Sequence, residues 1–137
     1  NTLGKEIKVY TEEDLLKNRD TTKELYFSIK DELLKLHDSN FVARRTYMSF
    51  RKNNKVVLYI GIGKKDIEFQ IVRRTVIGKG NKDLDSARIM YEIKDPKNLF
   101  RTKIIDNGKK ESYFYNMTDK KDFNFLIDVI KDVYESK

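Results

Sequence analysis

Apolar residues recur every three or four positions in two stretches of this chain and every second position in several others. Leu25, Tyr26, Ile29, Leu33 and Leu36 follow the helical spacing, with Lys30, Asp31 and Lys35 between them. The segment from Thr22 onward therefore predicts an amphipathic helix of about four turns, ended by "HDSN" before Phe41. A second stripe of Phe123, Leu126, Ile127, Ile130, Val133 and Tyr134 predicts a long helix over 119–135, capped by Thr118 or Asp119.

Between the helices the period falls to two. Residues 41–51 and 66–73 alternate, and 55–62 is more continuously apolar, as suits a central strand. Asn53-Asn54 and Gly63-Lys64-Lys65 supply the turns, because asparagine tolerates positive φ and glycine does so at no cost. Three strands joined this way predict an antiparallel meander. Residues 75–86, with Gly78 and Gly80 flanking Lys79, read as a loop, and "SARIMYEI" fits a strand or a helix. Asp95-Pro96 predicts a cap followed by one helical turn over 96–100. Two further strands, 101–105 and 112–116, flank "DNGKKE", whose Asn107-Gly108 is a hairpin signal.

In front, residues 1–20 read as an N-terminal arm. It holds one short turn in which Thr11 and Asp14 are spaced as a capping box. Residues 21–137 read as a single α+β domain. Its expected form is an antiparallel sheet of about five strands with a long helix near each end of the chain packed on it.

Charge sharpens this picture. The net charge is +7, and it is unevenly spread. Residues 1–40 carry seven Lys/Arg against nine Asp/Glu, residues 41–82 carry eleven against two, and residues 83–137 carry eleven of each. The whole basic excess lies in the meander and the loop after it. Clustered positive charge attracts polyanions, although lysine on exposed strands also serves to prevent edge-to-edge aggregation. Strand alternation puts Arg45, Tyr47, Ser49 and Arg51 on one side of the first strand. Val42, Met48 and Phe50 stand on the other side, with Arg44 and Thr46. Tyr59 and Gly61 oppose Leu58, Ile60 and Ile62, and Glu68, Gln70 and Arg74 oppose Ile67, Phe69 and Ile71. One face is apolar. The other offers arginine for phosphate and tyrosine for stacking on unpaired bases. The candidate nucleic-acid-binding residues are Arg44, Arg45, Tyr47, Arg51, Tyr59, Lys64, Lys65, Arg73, Arg74 and Lys79.

Other chemistry is thin. Cysteine is absent, which excludes disulfides, thiolate nucleophiles and cysteine zinc sites, and fits a cytoplasmic protein. His37 is the only histidine, at a helix end where it suits the dipole. Asp66 and Glu68 share a strand face, but Gln70 stands where a metal-dependent nuclease strand needs lysine. Gly61-Ile62-Gly63-Lys64-Lys65 and Gly78-Lys79-Gly80 offer backbone N–H groups to a phosphate, yet neither completes a P-loop or a dinucleotide fingerprint. No catalytic set, metal site or cofactor is expected, and no apolar run reaches the roughly 20 residues of a membrane span. The expected partners are DNA or RNA and other domains of a parent protein. The alternative is a protein-interaction or assembly module whose basic charge only confers solubility. Asn1 in place of methionine reads as a domain cut from a longer chain.

Three stretches carry a resemblance: "YTEEDLL" with "TTKELYFSIKDELLKL", then "RRTYMSFRKNNKVV", then "IKDPKNLFRTKI" through "DFNFLIDVIKDVYE". Together they resemble a bacterial and archaeal family, domain of unknown function 5655, sometimes labelled a predicted transport protein. Where that family often has a Gly-His-Trp-Gly-like loop, this chain reads "IDNGKKESYF", and 75–86 looks inserted. The resemblance implies no established activity. It implies an accessory domain of a larger protein, some of whose members carry nuclease-like or restriction-type domains.

Overall fold

Thr11 opens the first element. Its hydroxyl accepts from the Asp14 backbone N–H at 3.2 Å while the Asp14 carboxylate accepts from the Thr11 N–H at 2.9 Å, the expected capping box. The computed structural model describes residues 9–76 and 83–137, beginning just before this turn. Helix α1 (Glu12–Leu16) follows, then α2 (Asp20–Leu33). The first of these lies in the expected arm and packs on the domain. Leu16 joins the core, and Glu12 accepts from the Tyr26 hydroxyl at 2.7 Å and from the Lys30 ammonium.

The protein is α+β. Its antiparallel sheet has six strands: β1 (Ser39–Ala43), β2 (Met48–Lys52), β3 (Lys55–Ile62), β4 (Ile67–Thr75), β5 (Arg101–Ile105) and β6 (Lys110–Met117). The strand order is β1-β2-β3-β4-β6-β5, and α3 (Phe123–Ser136) closes the element order. Two turns form as their residues dictate, whereas Gly63 does not take the positive φ that glycine permits. Asn53 and Asn54 both have positive φ, 50° and 65°, between β2 and β3, and Asp106, Asn107 and Gly108 do the same between β5 and β6.

The run 41–51, expected as one strand, is two. It reverses at Arg44–Tyr47, where the Arg44 N–H donates to the Tyr47 carbonyl at 2.8 Å. No Gly, Pro or Asn marks that reversal, so alternation runs across it unbroken in the sequence. The consequence is a change of face. Phe41 pairs with Phe50 and Val42 with Ser49, so Phe41 points to the core and Val42 away from it. The expected helical turn after Pro96 is instead a turn held by Asp95, whose carboxylate accepts from the Leu99 and Phe100 N–H groups at 3.0 and 2.8 Å. "SARIMYEI" is neither helix nor strand. It touches the sheet through one bridge, Ile89 to Arg74, and through the Met90 N–H on the Arg73 carbonyl at 2.7 Å.

One face of the sheet is covered. Met48, Phe50, Leu58, Ile60, Ile67, Phe69 and Ile71 are fully buried against Tyr26, Ile29 and Leu33 of α2 and Leu126, Ile130, Val133 and Tyr134 of α3. The Phe50 and Tyr134 rings stack at 5.5 Å, and Lys52 donates to the Tyr134 carbonyl at 3.0 Å. The Tyr134 hydroxyl donates to the His37 carbonyl, tying α3 to the segment after α2. No helix among the described residues is long and apolar enough to cross a membrane.

Candidate nucleic-acid interface

The opposite face carries the side chains that alternate with the core set. Tyr59 faces Gln70 across β3 and β4, and Gly61 faces Glu68. On β6 the same face shows Ser112, Phe114 and Asn116, the partners of Val72, Gln70 and Glu68. On β5 it shows Arg101, Lys103 and Ile105. A hollow of about 390 Å³ opens here, lined by residues from the β1–β2 loop, from β3 and β4, and by Ile105, Asp106 and Lys110. The β1–β2 loop and the β5–β6 hairpin belong to opposite edges of the sheet, so the sheet curls toward this face. Ser49 and Ser112 are wholly buried on this face, where they accept from Arg51 Nε and Gln70 Nε2.

Tyr47 and Tyr59 form the wall of the hollow. Their rings meet edge-to-face at 5.2 Å and 86°. Gln70, which lines the hollow, donates to the Ser112 hydroxyl at 3.1 Å. Asn116 donates to Asp66 at 2.7 Å and to Glu68 at 3.3 Å, and Arg101 adds an ion pair to Glu68 at 3.3 Å. Asp66 and Glu68 are thus held by an amide and a guanidinium. Among the described residues no group of three His, Cys, Asp or Glu side chains is placed to hold a metal.

The antiparallel register gathers four expected cations at one end of the sheet. Met48 pairs with Ile60 and Ile62 with Ile67, so the Arg44–Tyr47 loop and the Gly63–Lys65 turn lie side by side. Arg44, Arg45, Lys64 and Lys65 are exposed there, and none has an ion-pair partner among the described residues. Gly63 shapes the turn. Its N–H donates to the Asp66 carbonyl at 2.8 Å, and a Cβ on it would stand 2.9 Å from that same oxygen. Arg51 is half-buried and donates from Nε to the Ser49 hydroxyl at 3.0 Å.

Arg73 and Arg74 stand elsewhere. A bulge between Val72 and Arg74 shifts the register, so both arginines oppose Glu111 on β6. Glu111 shares a face with Tyr113, the partner of Ile71, so Arg74 lies on the core-side face and not beside Gln70 as simple alternation predicts. Arg73 Nη1 and Arg74 Nε donate to the Glu111 carboxylate at 2.6 and 2.8 Å. Arg73 also reaches Glu92 at 3.0 Å and the Tyr113 hydroxyl at 3.2 Å. Burial pushes the Glu111 carboxyl up, but hydrogen bonds from the two guanidiniums outweigh it and hold the group below the usual 4.5. The Glu111 and Glu92 carboxylates raise Arg73 further above its ordinary value. Lys79, with Gly78 and Gly80, lies outside the described residues. His37 is exposed beside Asp38 at 3.0 Å.

Sequence alternation found Tyr47, Tyr59, Glu68 and Gln70. It missed the contribution of β5 and β6, because nothing local says that β6 inserts between β4 and β5. No family model, no curated protein and no solved structure matches this chain.

Proposed function

We propose that the open face is a nucleic-acid interface that takes an unpaired strand, within an accessory module of a larger protein. The observation that carries this reading is the Tyr47–Tyr59 pair, standing in a hollow that no helix among the described residues covers, beside four cations with no ion-pair partner among those residues. Phosphates meet Arg44, Arg45, Lys64 and Lys65 at the rim, and a base meets a tyrosine ring inside. Stacking of this kind contributes about 1–3 kcal/mol per base and tolerates any sequence. A concave wall suits single strands, whose bases turn outward, better than a duplex, whose bases are stacked away. Arg73 and Arg74 are not counted in the interface, because their two charges are paired with Glu111, Glu92 and Asp85.

The test is binding of labelled single- and double-stranded DNA and RNA across a salt series. Four phosphate contacts on a single strand give a log K against log salt slope of about −3. Arg44→Ala with Arg45→Ala lowers affinity and flattens that slope, and Tyr59→Leu lowers affinity without changing it. Absence of binding at low salt refutes the reading. It would leave the basic rim as a solubility device on a protein-interaction module.

A further inference from the structure

The hollow has a chemistry of its own. Its rim is basic, but its interior presents hydrogen-bond acceptors. Glu68 and Gln70 sit side by side on β4, opposite Gly61 and Tyr59 on β3. The Glu68 carboxylate lies in the hollow; Arg101 and Asn116 both donate to its Oε2 at 3.3 Å, and Oε1 has no partner among the described residues. The Gln70 amide donates one N–H to Ser112, and its acceptor oxygen has no partner among the described residues. Asp106 adds a second carboxylate, near Lys110 Nζ at 3.5 Å. Gly61 puts no side chain over the floor, and a Cβ there would meet nothing closer than 4.0 Å. A flat ring therefore has room above Gly61, a tyrosine face to lie against, and carboxylate oxygens along one edge.

We infer that the hollow selects one unpaired guanine, an inference that rests on the unpaired-strand reading. The rim cations Arg44, Arg45, Lys64 and Lys65, without an ion-pair partner among the described residues, draw the phosphates, so the backbone stays on the rim and the base enters. Once inside, a base must offer donors. The pairing edge of uracil or thymine has one N–H between two carbonyl oxygens, and those oxygens would face Glu68 and Gln70. Adenine and cytosine each have one amino group beside a ring-nitrogen acceptor. Guanine alone has two adjacent donors, N1–H and the N2 amino group, which match the two oxygens of one carboxylate, here the open Glu68 Oε1 and an Oε2 held only by two bonds of 3.3 Å. A two-bond match of this type is the kind that discriminates bases.

The experiment uses labelled pentanucleotides UUGUU, UUAUU, UUCUU and UUUUU, with their deoxy counterparts, at low salt, against the wild-type protein and Glu68→Gln. The Glu68–Arg101 pair is exposed on both sides, so the substitution leaves the fold intact, as a thermal melt would verify. The expected result is a guanine oligomer bound about tenfold tighter than the all-uracil one. In Glu68→Gln that ratio falls to about one. Equal affinity for all four oligomers, a preference for another base, or a guanine preference that survives Glu68→Gln overturns the guanine site while the strand-binding reading stands. Failure of every oligomer to bind removes both.

Discussion

Glu111 is the sharpest place to separate architecture from recognition. Its side chain is 12% exposed and accepts from Arg73 and Arg74, whose side chains are 21% and 17% exposed. Glu111→Gln keeps the shape and removes the charge, leaving two largely buried guanidiniums facing a neutral amide. Removing one partner from a fully buried pair costs about 3–5 kcal/mol. Here Arg73 keeps Glu92 at 3.0 Å and Arg74 keeps Asp85 at 3.8 Å, both near solvent. The expected loss is therefore smaller, about 2–3 kcal/mol, which lowers Tm by on the order of 10 °C for a domain of this size. Urea unfolding followed by tyrosine fluorescence and far-ultraviolet circular dichroism measures it. The pH dependence follows from the depressed folded-state pKa. The stability linked to Glu111 ionisation is present above the unfolded value of 4.5 and is lost as pH falls below it through the folded value. The gap between wild type and Glu111→Gln is thus widest near neutrality and closes on acidification. A variant within about 0.5 kcal/mol of wild type at neutral pH, or a gap that persists in acid, would refute the account of this cluster. Arg73→Ala and Arg74→Ala are expected to lower stability for the same reason, which makes them poor probes of binding.

Three further outcomes follow from the geometry. Gly63→Ala forces a methyl against the Asp66 carbonyl oxygen and costs about 1–3 kcal/mol in a thermal melt, whereas Gly61→Val, whose Cβ meets Glu68 at an ordinary 4.0 Å, keeps wild-type stability and abolishes oligonucleotide binding by filling the hollow. Tyr26→Phe loses the hydrogen bond to Glu12 and about 1–2 kcal/mol by urea unfolding at pH 7. Burial and the Glu12 carboxylate raise the Tyr26 hydroxyl far above its unfolded 10.0, so wild-type stability falls as pH rises past 10, and Tyr26→Phe shows a shallower fall.

Local rules carried much of the fold. The capping box at Thr11, the double-asparagine turn, the span of β3 and both helical stripes are consequences of neighbouring residues, and each was readable in the chain. What could not be read depends on partners distant in sequence. The reversal at Arg44–Tyr47 has no turn residue, and its effect is to put Phe41 rather than Val42 in the core. The bulge after Val72 is visible only against β6, and it brings Arg73 and Arg74 together on Glu111. The candidate site divides along the same line. Tyr47, Tyr59, Lys64 and Lys65 follow from alternation and turn position. The hollow itself needs the curl of six strands, which no single segment encodes.

The seal on the apolar face comes from α3, and this sets a schedule during synthesis. Phe50, Lys52 and the carbonyl of His37 all wait for Tyr134. A ribosome adds about 5–20 residues per second, so the four strands ending at Thr75 emerge several seconds before the helix that starts at Phe123. For that interval Met48, Phe50, Leu58, Ile60, Ile67, Phe69 and Ile71 form a sheet face that, among the described helices, has α1 and α2 but not α3 to cover it. A nascent chain halted between β4 and α3 is therefore the species that a chaperone would hold, and the one most prone to aggregate.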